Sequence, residues 1–179
     1  MAKVLLARPL PEAVVTRAQA LFDVTVRAET TPLSGTEMRA ALADYDAVMP
    51  TLGDLFRAEV FADVPGARCK LLANFGVGFN HIDAAAAVAA GIAVTNTPGA
   101  VTDATADIAM TLMLMSARRA SEGERMVRAG AWEGWHPTQM LGLHLSGKTV
   151  GIIGMGRIGQ AIARRCHFGF GMEVLYFNR

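Results

Sequence analysis

Cysteine is scarce, with only two in 179 residues. That is too few for a disulfide scaffold. Cys69 and Cys166 each sit among apolar neighbours and read as buried, reduced thiols. An excess of one charge is also lacking. Lys and Arg total 17 against 16 for Asp and Glu, a net of +1. This balance gives no electrostatic case for nucleic acid or for an anionic membrane surface. Long apolar runs are missing as well. The N-terminal run is too short for a signal peptide, and the stretch from Ile108 to Ala117 falls far short of the ~20 residues of a membrane span. Short-period repeats and low-complexity segments are absent. What remains is an apolar fraction of 52%, slightly above the ~45–50% of ordinary globular domains, which argues against disorder. A soluble, cytoplasmic globular protein is the expectation.

Short apolar runs alternate with helical patterns along the chain. Strands are expected at Lys3–Ala7, Val24–Val26, Ala47–Thr51, Cys69–Phe75 and Ala93–Asn96. Helical segments lie between them. One runs from Glu12 to Phe22, with Pro11 suited to its first turn. Another is opened by Ser34 and Glu37 in capping-box form and runs to about Asp44. A third, rich in alanine, is opened by Asp83 and closed by Gly91. Such alternation points to a parallel sheet covered by helices. A boundary falls near Pro98-Gly99. Beyond it, one long helix is expected over Thr102–Arg119. A less regular arm with Trp132, Trp135, Pro137 and Gly142 follows. Then come a strand at Lys148–Ile153, a helix at Arg157–Phe168 and a strand at Glu173–Phe177.

Gly154-Met155-Gly156-Arg157-Ile158-Gly159 has the pattern GxGxxG. Alone the pattern is weak. Here it follows a strand and opens a helix, and another strand follows, which is the context that dinucleotide binding requires. Gly154 permits the tight turn. Gly156 lets a pyrophosphate approach the backbone, and Gly159 lets helix and strand pack closely. Free N–H groups and the positive end of the helix dipole then face the phosphates. About 20 residues past the loop an acidic residue normally binds the adenosine ribose. This sequence has Asn178-Arg179 there instead. Arg179 can pair with a 2′-phosphate, so NADP is favoured over NAD, with NAD still possible.

Four blocks now come together: Asn74 to Asp83 (NFGVGFNHID), Thr95 to Gly99 (TNTPG), Thr102 to Asp107 (TDATAD) and Gly147 to Gly154 (GKTVGIIG). In this order and spacing they resemble the D-isomer-specific 2-hydroxyacid dehydrogenases, over nearly the whole chain. Trp132, Trp135 and Asn178-Arg179 bring it nearest to the glyoxylate/hydroxypyruvate reductase branch. The resemblance implies an α/β protein of two doubly wound parallel-sheet domains with the active site in the cleft between them. Residues 1–98 would form a flavodoxin-like substrate domain lacking its C-terminal helix. Residues 99–179 would form the first half of an NAD(P)-binding Rossmann domain, with the long linker helix and a dimerisation arm. It implies that the backbone N–H groups of Val77 and Gly78 hold the carboxylate of a small 2-keto or 2-hydroxy acid. It also implies that Thr105 lies near the cofactor, that Gly154 to Ile158 hold the pyrophosphate, and that Trp135 reaches the pocket of a neighbouring subunit. A homodimer through residues 102–145 follows from the same likeness.

The family's catalytic Arg, His and Glu correspond to positions beyond Arg179. The chain therefore reads as a fragment, a truncated gene product or a chain with a missing partner piece, with no catalytic residue of its own and inactive alone. Its alternative reading is a non-catalytic dinucleotide-binding or interaction module. His81, His136, His144 and His167 each read as structural or surface residues rather than catalysts. Neither cysteine has zinc-ligand spacing with a histidine, so no metal is expected.

Overall fold

The computed structural model describes residues 1–179. It divides into two compact units, Met1–Pro98 and Gly99–Arg179.

In the first unit, five parallel strands form one sheet in the order β2-β1-β3-β4-β5: β1 Lys3–Leu6, β2 Asp23–Val26, β3 Ala47–Met49, β4 Leu71–Ala73 and β5 Ala93–Thr95. Between them run α1 (Glu12–Gln19), α2 (Gly35–Asp44), α3 (Ala58–Ala62) and α4 (Ala84–Ala89). The order reverses direction after β2, which is the flavodoxin-like arrangement. Leu5, Val48, Leu72 and Val94 stand side by side in register. Leu5, Val48 and Leu72 pack with Met38, Leu42, Val60, Phe61 and Ala87 from α2, α3 and α4 in a single core. Full burial of such side chains contributes about 1.5–3 kcal/mol each. By contrast, α1 buries no residue.

Local signals set the element ends. Ser34 Oγ accepts from the Glu37 N–H at 3.2 Å, and Glu37 Oε2 accepts from the Ser34 N–H at 2.7 Å, so the expected capping box is formed. Asp83 caps α4 through the Ala86 N–H at 2.9 Å. β1, β3, β4 and β5 are shorter than the apolar runs that announce them, and β2 is one residue longer. β3 stops at Met49, because Pro50 has no N–H to extend the ladder.

In the second unit, α5 (Thr102–Ala117) is followed by α6 (Ala120–Arg128), where the sequence pattern indicates an irregular arm. The long helix ends two residues sooner than expected, because Arg119 adopts a left-handed conformation at φ 53° that separates the two helices. β6 (Thr149–Ile153) pairs in parallel with β7 (Glu173–Phe177), joined by α7 (Arg157–Arg164). The helix expected to reach Phe168 is regular only to Arg164. A π-helical turn over Arg165–Gly169 completes it. Met110, Cys166 and Met172 are buried together, with Met113, Val150, Ile162 and Phe170 packed around them. Arg165 holds α7 to α5 through Asp103 (3.0 Å) and Asp107 (2.8 Å). No helix is long and apolar enough to cross a membrane.

Candidate functional site

The turn after β4 collects the polar chemistry of the first unit. Asn74 and His81 are buried, 2% and 6% exposed. Asn74 Nδ2 donates to the carbonyl oxygens of Gly76 at 3.1 Å and of Gly78 at 2.9 Å. Asn74 Oδ1 lies 2.9 Å from His81 Nε2. An amide oxygen only accepts, so Nε2 carries the proton. Asn96, following β5, donates from Nδ2 to the Val77 carbonyl at 2.8 Å. The Thr97 N–H donates to the Gly76 carbonyl at 3.0 Å. All three carbonyls of the turn are thus satisfied from within the chain. The N–H groups of Val77 and Gly78 donate to no atom of the chain. Burial pushes the His81 imidazole below its ordinary pKa, with Arg57 acting in the same direction and Asp54 against it. The ring is therefore neutral.

Around this turn, Leu52, Phe75 and Phe79 leave much of their surface exposed. Leu52 Cδ2 lies 3.6 Å from where a Cβ on Gly76 would stand. Beneath them Asp54 is fully buried. It accepts from Arg8 Nη2, the Leu33 N–H and the Thr51 N–H, each at 2.8 Å, fastening the chain after β1 to the loop after β3. Sequence reasoning missed these roles of Asn96 and Asp54, because their partners are distant in the chain.

In the second unit the glycine loop joins β6 to α7. Its three glycines have different reasons to be glycine. Gly154 sits at φ +98°, where a side chain is strained. A Cβ on Gly159 would collide with the Gly154 carbonyl oxygen, so helix and strand pack closely there. Gly156 has neither constraint: its φ is −74° and a Cβ would meet open space. Its lack of a side chain serves nothing inside the chain and leaves the backbone open to an approaching group. The first N–H groups of α7, those of Arg157, Ile158 and Gly159, have no acceptor in the chain. The Met155 N–H is taken by Asn178 Oδ1 at 3.2 Å. Asn178 and Arg179 follow β7 directly and are exposed. The residues present therefore fit a dinucleotide pyrophosphate.

The structure thus brings Asn178 to the glycine loop. Thr105 lies exposed in the first turn of α5. Trp135 is 80% exposed in the arm, beside a groove lined by Met126, His136 and Gln139. Val77 and Gly78 belong to the other unit. Of the remaining histidines, His136 Nδ1 lies 3.2 Å from Thr138 Oγ1 and His167 Nδ1 lies 3.1 Å from the Met172 carbonyl, and His144 is exposed. Both cysteines are free and buried, and burial pushes both thiols up.

Comparison with known proteins decides the family. Residues 110–179 match the model of the D-isomer specific 2-hydroxyacid dehydrogenase NAD binding domain. A glycerate dehydrogenase from Hyphomicrobium methylovorum is 44% identical over 176 residues, 98% of this chain and 54% of that protein. The chain belongs to the D-isomer-specific 2-hydroxyacid dehydrogenase family. A Polaromonas structure described as a D-isomer specific 2-hydroxyacid dehydrogenase, NAD-binding, superposes with a TM-score of 0.92 at 41% identity, covering 100% of this chain and 56% of that one. An NADPH-dependent glyoxylate/hydroxypyruvate reductase from Sinorhizobium meliloti superposes with a TM-score of 0.80 at 31% identity, covering 100% and 55%. The chain spans about half the length of the curated family members it matches.

Proposed function

We propose that this chain carries the carboxylate turn and the first half of the cofactor site of an NADP(H)-dependent, cytoplasmic reductase of small 2-keto acids, glyoxylate or hydroxypyruvate among them. In this reading residues 1–98 are the substrate domain and residues 99–179 open the cofactor domain. The observation that carries it is Gly156, a glycine required by no contact or dihedral angle of its own chain. Gly154, Met155, Gly156, Arg157, Ile158 and Gly159 would hold the pyrophosphate, with Thr105 near the cofactor. Arg179 would pair with a 2′-phosphate, and Asn178 steadies the loop through Met155. The NADPH-dependent relative supports this preference. When bound, the dinucleotide supplies a hydride for the substrate's carbonyl carbon. The protein's own part is to hold the substrate carboxylate on the N–H groups of Val77 and Gly78. Two free backbone donors beside satisfied carbonyls form an anion-binding concavity of a kind common in turns.

Ile108 and Leu112 on α5, Val127 on α6, and Trp135, Leu141 and Leu143 in the arm are all at least 60% exposed. Apolar side chains gathered in one segment mark an interaction surface. A second copy of the chain is the partner this reading assigns to them, with Trp135 reaching the partner's pocket.

The test is titration of the chain with NADPH, read by nucleotide fluorescence, for the protein as it stands and for Gly156→Val. Saturable binding that the substitution abolishes supports the proposal. Unchanged binding by Gly156→Val removes the glycine loop from the site.

A further inference from the structure

The three peptide units of the carboxylate turn do not face outward by chance. No peptide bond in the chain is cis. In a planar trans peptide the carbonyl and the N–H of the next residue point in opposite directions. A hydrogen bond that pins a carbonyl inward therefore aims the next N–H outward. The Gly76 carbonyl is held by Asn74 and by the Thr97 N–H, which together aim the Val77 N–H. The Val77 carbonyl is held by Asn96, which aims the Gly78 N–H. The Gly78 carbonyl is held by Asn74 again, which aims the Phe79 N–H. The Phe79 N–H, like those of Val77 and Gly78, donates to no atom of the chain.

Asn74 can do this in only one orientation. Turning its amide over would set Oδ1 against two carbonyl oxygens and Nδ2 against the His81 N–H. Both arrangements are repulsive, and a buried polar group without a partner costs about 1–3 kcal/mol. The proton on His81 Nε2 fixes which way the amide points, at 2.9 Å. The charged and titratable groups that face this pair are Asp54 and Arg57 from the segment between β3 and α3.

We infer that Asn74, oriented by His81, and Asn96 are positioning residues that set the polarity of the Gly76–Phe79 turn, and that the Phe79 N–H is a third donor to the bound carboxylate. The inference rests on the carboxylate reading above. It divides the work by residue: Asn74 governs the donor at 79 and shares the donor at 77 with the Thr97 N–H, and Asn96 governs the donor at 78.

The test is an amide-resolved NMR titration of the 179-residue chain with oxalate. In the unsubstituted chain the amide resonances of Val77, Gly78 and Phe79 shift saturably. In Asn96→Ala the Gly78 response is lost while those of Val77 and Phe79 persist, and binding weakens about tenfold, as the loss of one such hydrogen bond implies. In Asn74→Ala the Phe79 response is lost while that of Gly78 persists, and the Val77 response is kept by the Thr97 N–H that still holds the Gly76 carbonyl. His81→Gln keeps an N–H donor for Asn74 and retains the full response, whereas His81→Leu loses it. If the buried Asn74→Ala variant fails to fold, the half-buried Asn96 carries the same test. Variants that respond as the unsubstituted chain does overturn the inference and leave the carboxylate reading standing. An unsubstituted chain in which none of these amides responds overturns the carboxylate reading and the inference with it.

Discussion

Asn178 Oδ1 accepts a hydrogen bond from the Met155 N–H at 3.2 Å, across the parallel pair β6 and β7. The side chain at the end of the second strand thus props the glycine loop at the end of the first. Its neighbour Arg179 is the residue proposed above to select the nucleotide. Arg179→Ala is expected to weaken NADPH binding about tenfold, the loss of a charge-assisted pair, and to leave NADH binding nearly unchanged. Calorimetric titration with both nucleotides checks this. Equal losses for both would remove Arg179 from the selectivity role.

Gly156 and Gly159 should separate binding from folding. Gly156→Ala places a methyl in open space, so the melting temperature stays close to that of the unsubstituted chain while NADPH affinity collapses. Gly159→Ala forces its methyl into the Gly154 carbonyl, so stability falls as well. Circular-dichroism melts alongside binding isotherms distinguish the two outcomes.

Asp54 is a buried anion held by one guanidinium and two backbone donors. Removing it strands Arg8, 12% exposed at its side chain, without its partner. Asp54→Ala is expected to cost about 3–5 kcal/mol, the usual result of breaking a buried pair from one side. Urea denaturation measures it. A loss below about 1 kcal/mol would show that the site is wetter than its burial implies.

Stability should fall with pH in two stages. His81 is held neutral by burial, so its folded pKa lies below the value of the unfolded chain. The unfolded chain then binds the extra proton, and stability is lost as pH drops through about 6.5. Glu37 and Asp46 are each lowered to about 2, chiefly by the hydrogen bonds from the Ser34 backbone and from Arg68 respectively. Their contributions are complete above the ordinary carboxylate range and disappear as pH falls through about 2. Melting temperatures across this range check both stages. His81→Gln should flatten the upper one, and an unchanged slope would assign it to another group.

Leu112 lies 60% exposed on α5. A charge there cannot be buried against a second copy without a partner. Leu112→Asp is therefore expected to shift the chain from dimer to monomer in sedimentation velocity, with its helical circular dichroism intact. A chain that is monomeric before substitution would rule out this surface as the self-contact.

Much of the fold could be read from the sequence because the signals are local. The Ser34–Glu37 box and the Asp83 cap sit at helix starts in the sequence as in the structure. The five short strands of the first sheet each follow an apolar run. What escaped has physical reasons. α3 has only five residues, too few to show a helical period. α6 begins at a left-handed Arg119 rather than a Ser, Thr or Asp cap and carries Gly123, so neither its start nor its interior reads as helix. The π-turn at Arg165–Gly169 has no sequence signature. Within the candidate site, the glycine loop was legible because its constraints lie within a few residues. The links from Asn96 to Val77 and from Asp54 to Arg8 were not, since each joins residues that only the folded sheet brings together.

The strand order of the first unit also bears on how the chain is made. β2 and β3 both pair with β1, β4 pairs with β3, and β5 pairs with β4. Each strand that emerges from the ribosome finds its neighbour already synthesised. The sheet can therefore grow outward one strand at a time during translation.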